Sequence, residues 1–175
     1  MLRAAFYLRR KGVTLGGRPA TFHGRMPRIK GGRRIRVGSR FKVDGHQIRA
    51  ELACSPDGRI VIGDNVYLNR GTTIYAEREV TIGDDCRFAD QAAVYDTNFH
   101  EVGEGEGITV APVRIGSNVW IGRQALILPG TEIGDHAVVG AGAVVRGVVP
   151  PRTLVAGSPA QVVRTFEAAD GYVRP

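Results

Sequence analysis

The most regular feature of the chain is a six-residue recurrence of aliphatic or aromatic positions. It starts at Ile62, runs through Leu68 and Ile74, skips two residues, and resumes at Ile82, Phe88 and Val94. A second run is longer: Ile115, Ile121, Ile127, Ile133, Val139 and Val145. Four residues after most of these stands a small or β-branched residue: Val66, Thr72, Cys86, Ala92, Val119, Ala125, Thr131, Ala137 and Ala143. Two of every six residues therefore form an inward set, one large and one small. A period of six fits neither the 3.6 of a helix nor the alternation of a lone strand. It predicts a short strand, a corner and another short strand, stacked as an all-β solenoid in which each coil buries its face on the next. A β-sandwich would instead place turns about 8–12 residues apart. Gly often follows the aliphatic residue, as at Gly63, Gly83, Gly116, Gly122, Gly134 and Gly140.

Around this core the pattern divides the chain. Residues 1–28 read as a basic N-terminal segment holding a short helix, with Leu2, Ala5, Phe6 and Leu8 as its apolar residues. The β-helix is expected over 29–157. Its early coils are degenerate (Val37-Gly38, Val43), and a loop lies near Arg49–Arg59, where Ser55-Pro56-Asp57-Gly58 is turn chemistry. The period lapses after His100, and residues 101–112 (EVGEGEGITVAP) read as a loop ejected from the coil. Functional groups are often found on such loops. Ser158-Pro159 ahead of AQVVRTFEAA reads as a Ser cap and Pro at the first turn of a short helix, so a C-terminal capping helix and tail are expected over 158–175.

The stretch IGSNVWIGRQALILPGTEIGDHAVVGAGAVVRGVVPPRTLVAGSPAQVVR resembles the C-terminal half of the hexapeptide-repeat acyltransferases, among them the maltose and galactoside O-acetyltransferases and sugar acetyltransferases of polysaccharide biosynthesis. The resemblance covers roughly residues 60–165. It implies a left-handed parallel β-helix with triangular coils of three hexads, and a homotrimer with active sites between neighbouring subunits. It also implies acetyl-CoA as acyl donor, with no metal required.

The same resemblance points to particular residues. Asp96-Thr97-Asn98-Phe99-His100 matches the family context in which His is the catalytic base, and imidazole suits proton transfer near neutral pH. Asp96 could hold an acceptor hydroxyl or orient the imidazole. Asn98 could do the same, bind the oxyanion, or merely satisfy coil backbone. Glu101 is a weaker candidate for orienting His100. For the donor, the matching segment places backbone amides at Gly140, Ala141, Gly142 and Ala143. Trp120 falls in the outward phase of its hexad and needs cover, with Gly122 leaving room beside it. Arg146 and Arg164 match positions that carry the cations expected for phosphates; because the family's usual Lys after Val-Val is absent, that role shifts to Arg146, Arg152, Arg164 or the partner subunit. The other histidines, His23, His46 and His136, show no pattern of metal ligation.

Charge changes the picture at one end. Residues 1–49 hold fourteen Lys/Arg and one acid, Asp44, a net +13; residues 50–175 hold ten against sixteen, a net −6. Such a block suits phosphates, an anionic lipid face or a bare solvated surface. Few aromatics interleave it, which argues against nucleic acid. Cys54 and Cys86 fit no disulfide framework or metal pattern, suiting a reduced, cytoplasmic setting, and the basic N-terminal block adds the expectation of peripheral contact at the inner membrane face. No apolar run approaches a membrane span, and the N-terminal apolar stretch is too short for a signal peptide. The leading expectation is acetyl transfer to a sugar hydroxyl of a surface polysaccharide or glycolipid. The alternatives are N-acetylation of an amino sugar and a non-catalytic scaffold.

Overall fold

The computed structural model describes residues 2–18, 20–169 and 171–174. Met1, Pro19, Asp170 and Pro175 lie outside the described residues, as does the side chain of Leu2. The chain winds as a parallel β-solenoid of about six turns, with three sheets as its faces. The first face runs from Thr14–Leu15 to Val148–Val149, the second from Thr21–Gly24 to Thr153–Gly157, and the third from Arg28–Lys30 to Val144–Val145. Each strand up to Thr153–Gly157 pairs in parallel with the strand one coil away, so Ile62, Ile82 and Ile115 stack in register, as do Leu68, Phe88 and Ile121.

The recurrence of six is the core itself. Every large position from Ile62 to Val145 is buried, and Val66, Thr72, Cys86, Ala92, Val119, Ala125, Thr131, Ala137 and Ala143 fill the corners between them with no solvent exposure. The period works because a hexad spans one side of the triangle. Fully burying an Ile or Leu side chain contributes about 1.5–3 kcal/mol, and this core repeats that gain coil after coil.

Polar corner residues tie the coils together along the axis. The Asp84 carboxylate accepts the Asp64 amide at 2.6 Å, Asp64 accepts Ser39 at 2.7 Å, and Asp135 accepts Ser117 at 2.7 Å. The next residue in several corners, including Asn65, Asp85 and Asn118, takes a left-handed φ of 54–59°. Asn and Asp tolerate that region better than most residues, which accounts for the Gly-Asp-Asn and Gly-Ser-Asn sequences there.

The solenoid starts earlier than the hexads suggest: Thr14–Leu15, Thr21–Gly24 and Arg28–Lys30 already form a first coil within the segment read as preceding it. Its inward residues Leu15, Phe22 and Ile29 are seven apart, because its corners are one residue longer. Likewise the stretch around Ser55–Gly58 is a tight turn, its Ser55 Oγ accepting the Gly58 amide at 3.0 Å, but strands Glu51–Cys54 and Arg59–Ile62 flank it closely.

One helix, α1 (Leu2–Arg10), closes the first end, burying Ala4, Ala5 and Leu8 on the first coil and turning Phe6 outward. Gly12, at φ +86°, ends it: Val13 N–H reaches Leu8 and Gly12 N–H reaches Arg9, a Schellman termination.

The other end corrects the sequence reading. Among the described residues no helix follows Ser158-Pro159. Ala160–Thr165 is a strand, antiparallel to Thr153–Gly157, with Ser158 and Pro159 as the hairpin turn. Two causes combine. Gln161-Val162-Val163 favours extended backbone, and the last strand of the second face has an open edge that this strand pairs.

Candidate active site

The insertions that interrupt the repeat share one corner, between the third face and the first. Ser55–Gly58, the extra pair Glu77-Arg78 and the ejected loop fall there in successive coils. Asp96 organises the column. Its carboxylate is buried and accepts the backbone amides of Glu77, Arg78 and Glu79 at 2.6, 2.7 and 2.6 Å. Three amide donors fill most of the acceptor capacity of a carboxylate. Asp96 therefore shapes the corner beneath the loop, with three of the roughly four acceptor positions of its carboxylate taken by backbone amides.

The loop above it is closed at its base. Thr97 and Val110 form an isolated antiparallel bridge, and the Ala111 amide donates to the Asp96 carbonyl at 2.9 Å. Asn98 staples the next rung: its Oδ1 accepts the Thr109 amide at 2.9 Å, and its own amide donates to the Thr109 carbonyl at 3.2 Å. Glu101 folds inward, accepting the amides of Gly105 and Gly107, and so supports the loop rather than His100. His100 sits at the exposed shoulder of this closed loop. Beside it Phe99, at φ +62°, lays its ring against Tyr75 and Tyr95, with centroids 4.9 and 5.6 Å away. A non-Gly residue held at positive φ costs energy that its surroundings must repay; the two tyrosine contacts supply that. The hydroxyl of Tyr75 donates to Glu77 at 2.8 Å, and burial followed by that carboxylate pushes its pKa up to about 12, so it remains a donor at neutral pH.

The residues expected at the donor occupy a different edge. Trp120 pairs with Val138 and Val138 with Leu154, which faces Arg164 across the final hairpin. Gly122 lies one coil below Gly140-Ala141, so close that a Cβ there would stand 2.6 Å from the Ala141 nitrogen. It is glycine to let coils approach, not to make room for the indole. The amides of Gly140, Gly142 and Ala143 already donate to Val155, Arg123 and Gly140, so only Ala141 of that quartet keeps an amide outside the coil ladder. Arg146 ends strand Val144–Val145 and lies on the same corner as the His100 loop, away from Trp120 and Arg164. One side of the triangle, six residues at ~3.3 Å each, separates the two groups by roughly 15–20 Å.

The family described as "Bacterial transferase hexapeptide (six repeats)" matches residues 112–147. Galactoside O-acetyltransferase of Escherichia coli K12 is 39% identical over 116 residues, 65% of this chain and 57% of that protein. The putative lipopolysaccharide biosynthesis O-acetyl transferase WbbJ of the same strain is 35% identical over 121 residues, 62% of each. A galactoside acetyltransferase in complex with coenzyme A superposes with a TM-score of 0.57 at 26% identity, covering 93% of this chain and 72% of that one. Over residues 112–147 the chain carries the repeat of this transferase family, and it is similar to these acetyltransferases over most of its coils. It spans a little over half the length of these curated relatives.

In this hexapeptide-repeat chain the cover over Trp120 comes in part from a segment that carries no periodic signal. Residues 171–174 return across the second face. Asn118 Nδ2 donates to the Tyr172 carbonyl at 2.7 Å, and the Arg174 amide donates to Asn118 Oδ1 at 2.9 Å. Arg174 also donates to the carbonyl of His136, a buried residue whose ring lies 2.9 Å from Asn118. Trp120 remains 46% exposed between two clefts. One, of about 450 Å³, includes Tyr67, Arg87 and Tyr172; the other, of about 220 Å³, includes Arg164, Phe166 and Arg174. Arg87, Phe166 and Arg174 are thus additional cationic and aromatic candidates. Only the lone Trp and the outward phase of its column could have pointed to them.

Proposed function

We propose that this chain transfers an acetyl or similar acyl group from an acyl-CoA thioester to a sugar hydroxyl, with His100 as general base. The observation that carries this reading is His100 itself, an exposed imidazole on a base-stapled loop of a rigid coil, in a chain 39% identical to a galactoside O-acetyltransferase over 116 residues. His100 takes the acceptor hydroxyl proton as that oxygen attacks the thioester carbonyl. The new C–O bond forms as the C–S bond breaks, and the imidazolium returns its proton to the departing sulfur. The imidazole ends as it began, and ester and free thiol are the products. Asn98 is the positioning residue that holds the loop shut.

The donor lies along Trp120, Ala141 and Arg164 in this reading, with Gly122, Gly140 and Gly142 shaping the groove. Those residues and His100 occupy different edges of one chain, which supports a homotrimer whose sites combine one subunit's loop with its neighbour's Trp120 face; the left-handed sense of the coils rests on the resemblance alone. Arg146, on the loop's corner, then supplies a cation from the first subunit. The acceptor class is a sugar of a surface polysaccharide or glycolipid, in keeping with the similarity to WbbJ. The free thiols of Cys54 and Cys86 suit a reducing compartment.

The deciding experiment measures coenzyme A thiol release from acetyl-CoA across a panel of sugars and amino sugars, for the native chain and His100→Ala. Acceptor-dependent release should fall about 10²–10⁴-fold in the variant, the usual span for loss of a general base, with donor affinity retained. Unchanged turnover in the variant, or no acceptor-dependent release with several acyl donors, overturns the reading.

A further inference from the structure

The N-terminal end of the solenoid differs from every other surface of the molecule. All fourteen Lys/Arg of residues 1–49 are exposed, and among the described residues none of them lies within ion-pair distance of a carboxylate. The single acid there, Asp44, is engaged by the backbone and ring of His46. The cations are not a stripe down one side. Arg36 projects from the first face, Lys42 from the second, and Arg28 and Lys30 from the third, so they form a collar around the first two coils. Later coils carry the opposite net charge. A rod charged +13 at one end and −6 over the rest is oriented end-on by an anionic plane.

Helix α1 lies across that end. Its inner face buries Ala4 and Leu8, and its outer face presents Phe6 at 66% exposure between Arg3, Arg9 and Arg10. Phe6, Tyr7 and Met26 line a largely apolar cleft of about 370 Å³ rimmed by Arg3, Arg10 and Lys11. An exposed aromatic ring within a cationic rim, on a helix docked parallel to the end surface, is the arrangement by which amphipathic helices lie in a lipid interface. A single-stranded nucleic acid would want a row of exposed aromatic platforms. Here Phe41 is buried, Phe22 packs edge-on against Tyr7, and the Tyr7 hydroxyl is engaged by the Pro27 carbonyl, which leaves Phe6 alone.

We propose that this end of the solenoid docks onto an anionic lipid bilayer, with α1 in the interface plane, Phe6 inserted and the basic collar on the headgroups. The axis then stands away from the membrane. The His100 loop leaves the fourth coil, three strand spacings of about 4.8 Å from the first, so it is held roughly 15 Å above the docked end. The docking rests on charge and shape and does not depend on the acyl-transfer reading.

The test is co-sedimentation of the full chain with vesicles of phosphatidylcholine alone or doped with phosphatidylglycerol, at low and at roughly 0.5 M salt. Binding should be more than about tenfold stronger to the anionic vesicles and be lost at high salt. Phe6→Ala should lower the partition about three- to tenfold without lowering the unfolding temperature, since the ring is exposed. The double variant Arg3→Glu/Arg10→Glu should abolish binding, and Arg114→Glu, far along the axis, should leave it intact. Equal binding to neutral vesicles, indifference to Phe6→Ala, or tighter retention on duplex DNA than on anionic vesicles at the same salt overturns the proposal.

Discussion

The backbone N–H of Thr109 donates to the side-chain oxygen of Asn98 at 2.9 Å, joining two residues eleven apart in the chain across the neck of the His100 loop. The return bond, from the Asn98 amide to the Thr109 carbonyl, completes the closure. The loop is thus open at its tip and fixed at its root. Asn98→Ala should cost about 1 kcal/mol, the typical net worth of one hydrogen bond. That is a fall of about 2–4 °C in unfolding temperature for a chain of this size. On the proposed role of His100, coenzyme A release should drop further than that small loss of stability explains, by about tenfold, as the imidazole loses its fixed geometry. Unaltered release in the variant would show that the neck does not set the position of His100.

Asp96 predicts the reverse balance. Removing its carboxylate leaves the amides of Glu77, Arg78 and Glu79 without their acceptor. Bonds to a charged group are worth about 1.5–3 kcal/mol each and do not add fully, so Asp96→Ala should cost more than about 3 kcal/mol in urea unfolding. Asp96→Asn, which keeps one acceptor oxygen, should fall between the two. A loss below about 1 kcal/mol for the alanine variant would mean that water replaces the carboxylate at this corner.

Gly122 tests how closely the coils approach. A Cβ at this position meets backbone atoms of Ala141 and Gly140 rather than a side chain able to move aside. Gly122→Ala should destabilise the fold by about 1–3 kcal/mol, the usual range for overpacking, despite swapping one small residue for another. A neutral result would indicate that adjacent coils can slide apart without penalty.

The two thiols make a prediction about pH. Burial raises the pKa of Cys54 to about 11 and of the fully buried Cys86 to about 12. Three pH units below its pKa a thiol is only ~10⁻³ thiolate, the reactive form. Labelling of Cys54 with a disulfide reagent should therefore be slow at pH 8 and quicken about tenfold per pH unit up to pH 10, with Cys86 labelled only on unfolding. The sign for stability follows. An unfolded thiol ionises near 8.5 and the folded one later, so the stabilisation is fully present below that value and is lost as pH rises towards the folded pKa. Fast labelling of both thiols at pH 8 in the folded state would contradict the buried environments.

The middle of the solenoid could be read from sequence because one hexad equals one side of the triangle, so the inward pairs from Ile62 to Val145 reproduce the core without further information. The first coil escaped that reading since Leu15, Phe22 and Ile29 are spaced by seven. The C-terminal strand was missed because Ser-Pro opens a helix and turns a hairpin equally well; what decides is the open edge of Thr153–Gly157, which no local pattern reveals. The site was legible unevenly. His100 marks itself by where the period stops. Asp96 and Asn98 look equivalent in the chain, yet one faces into a corner and the other across a loop neck. Tyr172 and Arg174 lie in a segment with no period, and their relation to Trp120 exists only once the tail folds back.

Strand Ala93–Tyr95 is followed on the next face by Val113–Ile115, which pairs with Glu79–Ile82 in the ordinary register. To the register of the stack it is as though residues 98–109, beyond the Thr97–Val110 bridge, were not there. Such an appendage can be lengthened, shortened or exchanged at little cost to the structure that bears it. Changes of sequence can therefore gather on one stapled seam while the coils keep their register, and Thr97 and Val110 are the natural joints for a loop graft.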